Sequence, residues 1–294
     1  MIKRIHLHFI LNIVLCILAI FVPMYTVTTI VNGYYFSSSI FTIFTWHAYE
    51  LVFTFFYLYI FWIFQKKRSS LSTTFLFMLL FSWEQVSFFL LENKLTLLLS
   101  HLPLQFFLIR RFLINSPNKI YFIIFLIFSL TRTGYFLIQN YRLEFSHDMF
   151  YFVGLIMTSF FCLILPRTYT YTSHNLKGIK FFQKFLILCW GVLFLDFFYQ
   201  DLNYTKASWH LIFLGAISSI IAIDFLQRNE SSQGNPRVRY AVLTSLAIGT
   251  AIRFTVPVFF PKSFLPSLHH SMGFWTLGYL ILLIFIIRRQ FHNS

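Results

Sequence analysis

The stretch Phe9-Ile-Leu-Asn-Ile-Val-Leu-Cys-Ile-Leu-Ala-Ile-Phe-Val-Pro-Met-Tyr-Thr-Val-Thr-Thr-Ile-Val31 contains no Asp, Glu, Lys or Arg. A helix crossing the hydrocarbon core of a bilayer needs about 20 predominantly apolar residues, and this run supplies them. Met1-Ile-Lys-Arg4 precedes it in the manner of a signal sequence. The run continues without a small-residue cleavage site, so it reads as a retained first span. Nine further windows follow, at 46–64, 71–91, 95–109, 120–139, 149–166, 181–199, 207–226, 239–260 and 267–287. The expected fold is an all-α polytopic transmembrane helix bundle of about ten spans, with residues 1–294 forming a single integral membrane domain.

Composition leads to the same class. The 294 residues are 58% hydrophobic and 11% charged, whereas a soluble domain carries about a quarter charged residues. Too few polar groups remain to coat a water-soluble globule, which excludes most soluble enzymes. The 42 Phe read as lipid-facing bulk. Cys16, Cys162 and Cys189 show neither a metal-motif spacing nor a disulfide framework.

Charge sets the orientation. Lys and Arg accumulate in cytoplasmic loops, and a cytoplasmic N-terminus places seventeen of the 23 on that side, in clusters such as Lys66-Lys67-Arg68, Arg110-Arg111 and Arg288-Arg289. Only Lys94, Arg142, Lys206 and Lys262 fall outside, and Arg132 and Arg253 lie within spans. Both termini are therefore expected to be cytoplasmic, in a bacterial inner membrane. The net charge of +14 reads as contact with anionic membrane lipid, not nucleic acid, since no soluble scaffold presents it.

Ionisable side chains inside spans are costly and mark functional sites by default. With this topology His47, Glu50, Glu84, His101, Arg132, Asp196, His210, Arg253, His269 and His270 all fall in the outer leaflet, and Asp224 is the exception. Taken singly, a histidine near a helix end is often satisfied by water or headgroups, and Arg132 and Arg253 could simply neutralise Glu84 or Asp196. The coincidence of depth is better explained by a shared polar cavity open to the outside. Neutral imidazoles suit the axial positions of a haem iron, or copper together with further histidines, and guanidinium suits haem propionates. The candidate metal ligands are His47, His210, His269, His270 and His101. The candidate cofactor-binding residues are His47, His210, Glu50, Arg253 and Arg132, with Glu50 holding an imidazole N–H. No phosphate loop, nucleophile elbow or His-Glu-x-x-His motif is present.

Two segments carry a family resemblance. Thr45-Trp-His-Ala-Tyr-Glu-Leu-Val-Phe-Thr-Phe55 resembles the Trp-His-Ala-His-Glu-Met signature of the NnrS family, and Ser208-Trp-His-Leu-Ile-Phe-Leu-Gly-Ala-Ile217 is similar to its second signature, a His followed five residues later by Gly-Ala-Ile. Tyr49 stands where the first signature has its second His, and the His-Gly-Tyr element of the seventh span is missing around Cys189 to Phe197. The resemblance implies a shortened, divergent bacterial membrane protein that binds haem, and copper less securely, and serves tolerance of nitric oxide. Nitric oxide or another small ligand is then the expected partner, with His47 and His210 ligating one haem. The alternative is a cofactor-free transporter whose outward-facing polar cavity is a substrate vestibule. Reporter fusions after Ser70, Asn175 and Ser294 are expected to register a cytoplasmic location at all three sites; a periplasmic signal from any one would reject this topology.

Overall fold

The computed structural model describes residues 7–33, 42, 46–47, 49–63, 70–91, 93–115, 119–141, 147–164, 173–199, 208–229 and 236–292. Its elements are α1 (Leu7–Asn32), α2 (a π-helical turn Tyr49–Phe55 continuing as Phe56–Ile63), α3 (Leu71–Leu90), α4 (Lys94–Asn115), α5 (Lys119–Tyr141) and α6 (His147–Ile164). They continue with α7 (Ser173–Tyr199), α8 (π-helical Leu211–Ile217 continuing as Ser218–Asn229), α9 (Pro236–Phe259) and, after a short 3₁₀ turn at Pro261–Ser263, α10 (Phe264–His292). Among the described residues there is no strand. Eight described helices are long and apolar enough to cross a membrane, and the apolar helices at Tyr49–Ile63 and Phe152–Leu163 are shorter. The chain is thus an all-helical, multi-pass membrane protein.

Each apolar window corresponds to a helix, with two instructive differences in extent. The fourth window, 95–109, becomes a helix over Lys94–Asn115. Arg110 and Arg111 end the apolar run, but arginine is a good helix former and the helix continues through them; within the window the polar His101 and Gln105 turn inward and are buried. The seventh window begins at 181, but α7 starts at Ser173; Lys177 and Lys180 are good helix formers that an apolarity scan passes over. Boundaries are fixed locally. Ser70 is the N-cap of α3, its hydroxyl accepting from the Thr73 N–H at 3.2 Å. Asn93 caps α4 through the Leu95 N–H at 2.9 Å. Such side-chain oxygens satisfy the free N–H groups of a first turn.

The helices expose apolar side chains, and several of the ionisable groups that lie within apolar runs are buried. On α3, Leu71, Phe75, Leu79 and Leu90 are exposed, while Thr74, Glu84 and Ser87 are buried. On α7, Phe181, Ile187, Leu188, Phe194 and Leu195 are exposed. A contiguous apolar surface of this kind has no place in water, and in lipid it is the expected exterior.

The chain clusters into two compact units, Met1–Gly154 and Leu155–Ser294. In the first, every residue of Tyr49–Ile63 is buried, and α2 is the core helix, packed by α1 and α5. In the second, 83% of the apolar window Ser208–Gln227 is buried, against 22% for Lys177–Leu195 and 28% for Pro236–Phe259, so α8 is the core helix there. Both core helices begin at a Trp-His pair. In the second unit α9 and α10 pack closely along their lengths. A Cβ at Gly249 would come within 2.9 Å of the Ser271 carbonyl oxygen, and the Ser271 hydroxyl donates to the Gly249 carbonyl at 2.7 Å. The substitution Gly249→Val is expected to lower stability by about 1–3 kcal/mol, as overpacking does, read as a reduced melting temperature in detergent; a melting temperature equal to the parent's would show that this contact is not tight.

Candidate functional site

The first unit holds a buried ionic centre assembled from four helices. Glu84 on α3 meets Arg132 on α5, whose Nη2 lies 3.0 Å from Oε1 and 2.9 Å from Oε2. His101 of α4 is hydrogen-bonded to Glu84 through Nδ1. The Tyr49 hydroxyl of α2 donates to Glu84 Oε1 at 3.4 Å. Glu84, His101, Arg132 and Tyr49 are all at or below 1% exposure, so the charges meet where Coulomb attraction is strongest and an unpaired charge is most costly. Arg132 also donates to the Thr54 hydroxyl at 3.2 Å. Its guanidinium lies over the rings of Tyr49 and Tyr57, at 5.1 Å and 5.4 Å from their centroids, within the range of cation–π attraction.

The order of hydrogens on His101 follows from its partners. A carboxylate only accepts, so Nδ1 carries the proton given to Glu84, and Nε2 faces the Thr133 hydroxyl at 3.3 Å. The ring also stacks on Phe136, 4.3 Å between centroids and 4° from parallel. Both nitrogens of this candidate metal ligand thus face protein partners. Arg132, a candidate for haem propionates, is paired with Glu84, the other possibility that the sequence presents. A second polar strand runs beside the centre, from the Tyr57 hydroxyl to Ser129 at 3.1 Å and from Ser129 to Gln105 Oε1 at 2.9 Å.

Glu50 is fully buried one helical turn before Thr54. The Gln85 amide donates to its Oε1 at 3.3 Å, and its Oε2 has no hydrogen-bond partner. Its contact is thus with the Gln85 side chain, in place of the imidazole expected for it from sequence.

The two Trp-His histidines belong to different units, and each has a defined proton arrangement. In the first unit, the Thr26 hydroxyl donates its single hydrogen to the Val22 carbonyl at 2.8 Å. The 3.1 Å contact between Thr26 Oγ1 and His47 Nδ1 must therefore be donated by the ring. A neutral His47 then carries its lone pair on Nε2. In the second unit, His210 Nε2 lies 3.3 Å from Arg253 Nη2. Guanidinium can only donate, so Nε2 is again the unprotonated nitrogen. Both rings are half-buried, and the helix beyond each opens into a seven-residue π-helix, Tyr49–Phe55 and Leu211–Ile217. π-helical turns are rare and recur at functional sites. Gly215 lies within the second one, and a Cβ there would come within 2.8 Å of Thr250.

The remaining candidates are dispersed. His269 and His270 are exposed on α10, His270 Nδ1 capping the Pro266 carbonyl at 2.8 Å. The side chain of Asp196 lies outside the described residues. Among the described residues no group of three His, Cys, Asp or Glu side chains is placed to hold a metal ion. Sequence reasoning passed over Gln85, Gln105, Ser129, Thr26 and Thr133; for all but Thr26 the signal available was a neutral polar residue inside an apolar run, one turn from or adjacent to an ionisable one.

No protein-family model, no curated protein and no solved structure matches the chain. The structure therefore defines a class, a multi-pass helical membrane protein with a buried ionic centre in its first unit and a positioned histidine at the head of each core helix. Removing one member of the ion pair strands the other, at a cost of about 3–5 kcal/mol. Glu84→Gln and Arg132→Gln are each expected to lose roughly that much stability, and the double variant less than the sum of the two. Thermal unfolding in detergent measures all three, and single variants as stable as the parent would show that the pair does not hold the bundle.

Proposed function

We propose that the protein is a haem-binding membrane protein of the NnrS type, with both termini cytoplasmic in a bacterial inner membrane, acting in tolerance of nitric oxide. The observation that carries this reading is the proton arrangement of the two Trp-His histidines. In each, the neighbour's contact makes Nε2 the unprotonated nitrogen of a neutral ring, and an unprotonated imidazole nitrogen is what iron accepts as an axial ligand. In this reading His47 and His210 each supply an imidazole to haem iron. Thr26 holds the His47 ring by its Nδ1–H, as the second partner of a metal-bound histidine does. Arg253 occupies the His210 lone pair, and on moving aside its guanidinium suits a haem propionate. The bound group would supply an iron centre able to take a small diatomic ligand.

Copper has less support, because the described side chains bring no three candidate ligands together. A second reading, a cofactor-free transporter, is favoured by the Glu84–Arg132–His101 centre, since ionisable groups facing a bundle interior are also the material of proton and ion pathways.

A visible spectrum of the purified protein, expressed with haem available, separates the two. The haem reading expects a Soret band, its loss or a change of spin state in His47→Ala and in His210→Ala, and a haem affinity weakened about 10–100-fold in Thr26→Val, the effect of removing a partner that orients a ligand. A folded protein that takes up no haem would leave the transporter reading in its place.

A further inference from the structure

We propose that Glu50 is a proton-binding site of the first unit, a carboxyl that is protonated at rest and exchanges its proton in competition with Glu84 for a single guanidinium. The argument begins with donors. A buried carboxylate is stable when it is paired or accepts several hydrogen bonds. Glu50 is 0% exposed, its contacts are the neutral Gln85 amide and Thr54 hydroxyl, and Oε2 has no partner. An anion so placed would be close to unsolvated. A carboxylic acid would not, because the proton removes the charge.

The surrounding elements supply one cation for two acids. On α3 the neighbouring ionisable group is Glu84, on α5 it is Arg132, and on α2 itself the phenol of Tyr49 adjoins; α1, which packs against the π-helical turn, contains no Asp, Glu, Lys or Arg. His101 enters through Glu84. Arg132 directs Nη2 at both oxygens of Glu84, and its Nε and Nη1 have no hydrogen-bond partner. Thr54 links the two sides, in contact with Glu50 and accepting from Arg132 at 3.2 Å. One positive charge can neutralise one carboxylate, so the unpaired acid holds a proton. A metal cation is a poor occupant of this place, because Arg132 stands beside it and would repel the added charge, whereas a proton leaves a neutral acid. Loss of the proton from Glu50 would draw the free N–H groups of Arg132 towards it and loosen Glu84, which converts a protonation event into a movement between α2, α3 and α5.

This inference is independent of the haem reading and holds for a protein with or without a cofactor. The test uses the full chain in detergent. An apolar carbodiimide, dicyclohexylcarbodiimide, adds to protonated buried carboxyls, and peptide mass analysis locates the adduct. Modification is expected at Glu50 and not at Glu84, falling as the pH is raised, and abolished in Glu50→Gln, which keeps an oxygen for the Gln85 amide. In Glu84→Gln, Arg132 is released to Glu50, and labelling there should fall several-fold. Infrared spectroscopy supplies a readout independent of reagent access: a protonated-carboxyl C=O band, shifted in deuterium oxide, is expected in the parent and absent from Glu50→Gln. Persistence of that band in Glu50→Gln, its absence from the parent, or labelling of Glu84 in place of Glu50 would overturn the proposal. Undiminished labelling of Glu50 in Glu84→Gln would overturn the competition for one guanidinium.

Discussion

In the low-dielectric interior of the first unit, Arg132 cannot exist without an anion beside it, and Glu84 is that anion. The pair is 2.9 Å apart with neither group exposed. Their attraction offsets two large desolvation penalties only while the geometry holds, so α3 and α5 must keep their relative rotation. His101 then fixes α4 to the same point through Glu84, and Tyr49 and Thr54 fix the π-helical turn of α2. Van der Waals packing between apolar helices in lipid specifies rotation poorly, since lipid tails compete on equal terms. A buried polar centre specifies it well, because any other rotation exposes a charge to hydrocarbon.

Two arrangements of ionisable groups divide the functional possibilities. At the head of each core helix stands a histidine whose proton position is determined by a neighbour, Thr26 in the first unit and Arg253 in the second. Under the proposed reading, these are the rings offered to haem iron. In the interior of the first unit, two carboxyls share one guanidinium, which is the organisation of a proton switch. The two are compatible in one protein, since His47 is held through Thr26 and His210 through Arg253, while Glu84 is held by Arg132 and His101.

The π-helical turns give the Trp-His segments a structural role as well. Widening the helix over seven residues after His47 and His210 displaces the following side chains relative to a regular α-helix. Glu50 turns to Gln85 of α3, and Thr54 to Arg132 of α5. Close approach in the second unit depends on small residues at the matching place, Gly215 against Thr250 and Gly249 against Ser271.

The sequence by itself determined the class of protein and the position of its helices. Apolarity over about 20 residues is a local property and reads directly as a span. It also singled out Glu50, Glu84, His101, Arg132, His210 and Arg253, because an ionisable group in hydrocarbon is conspicuous wherever it stands. Their partners were not legible. Pairing depends on the rotation of each helix about its axis and on which helices are neighbours. In a soluble bundle an apolar stripe set against a polar face reveals that rotation, and a lipid-facing exterior as apolar as the interior erases the contrast. Only the tertiary structure decided that Arg132 meets Glu84, that His101 is held by the same carboxylate, that Glu50 lies beside the pair with one oxygen unpartnered, and that His269 and His270 stand apart on the surface of α10.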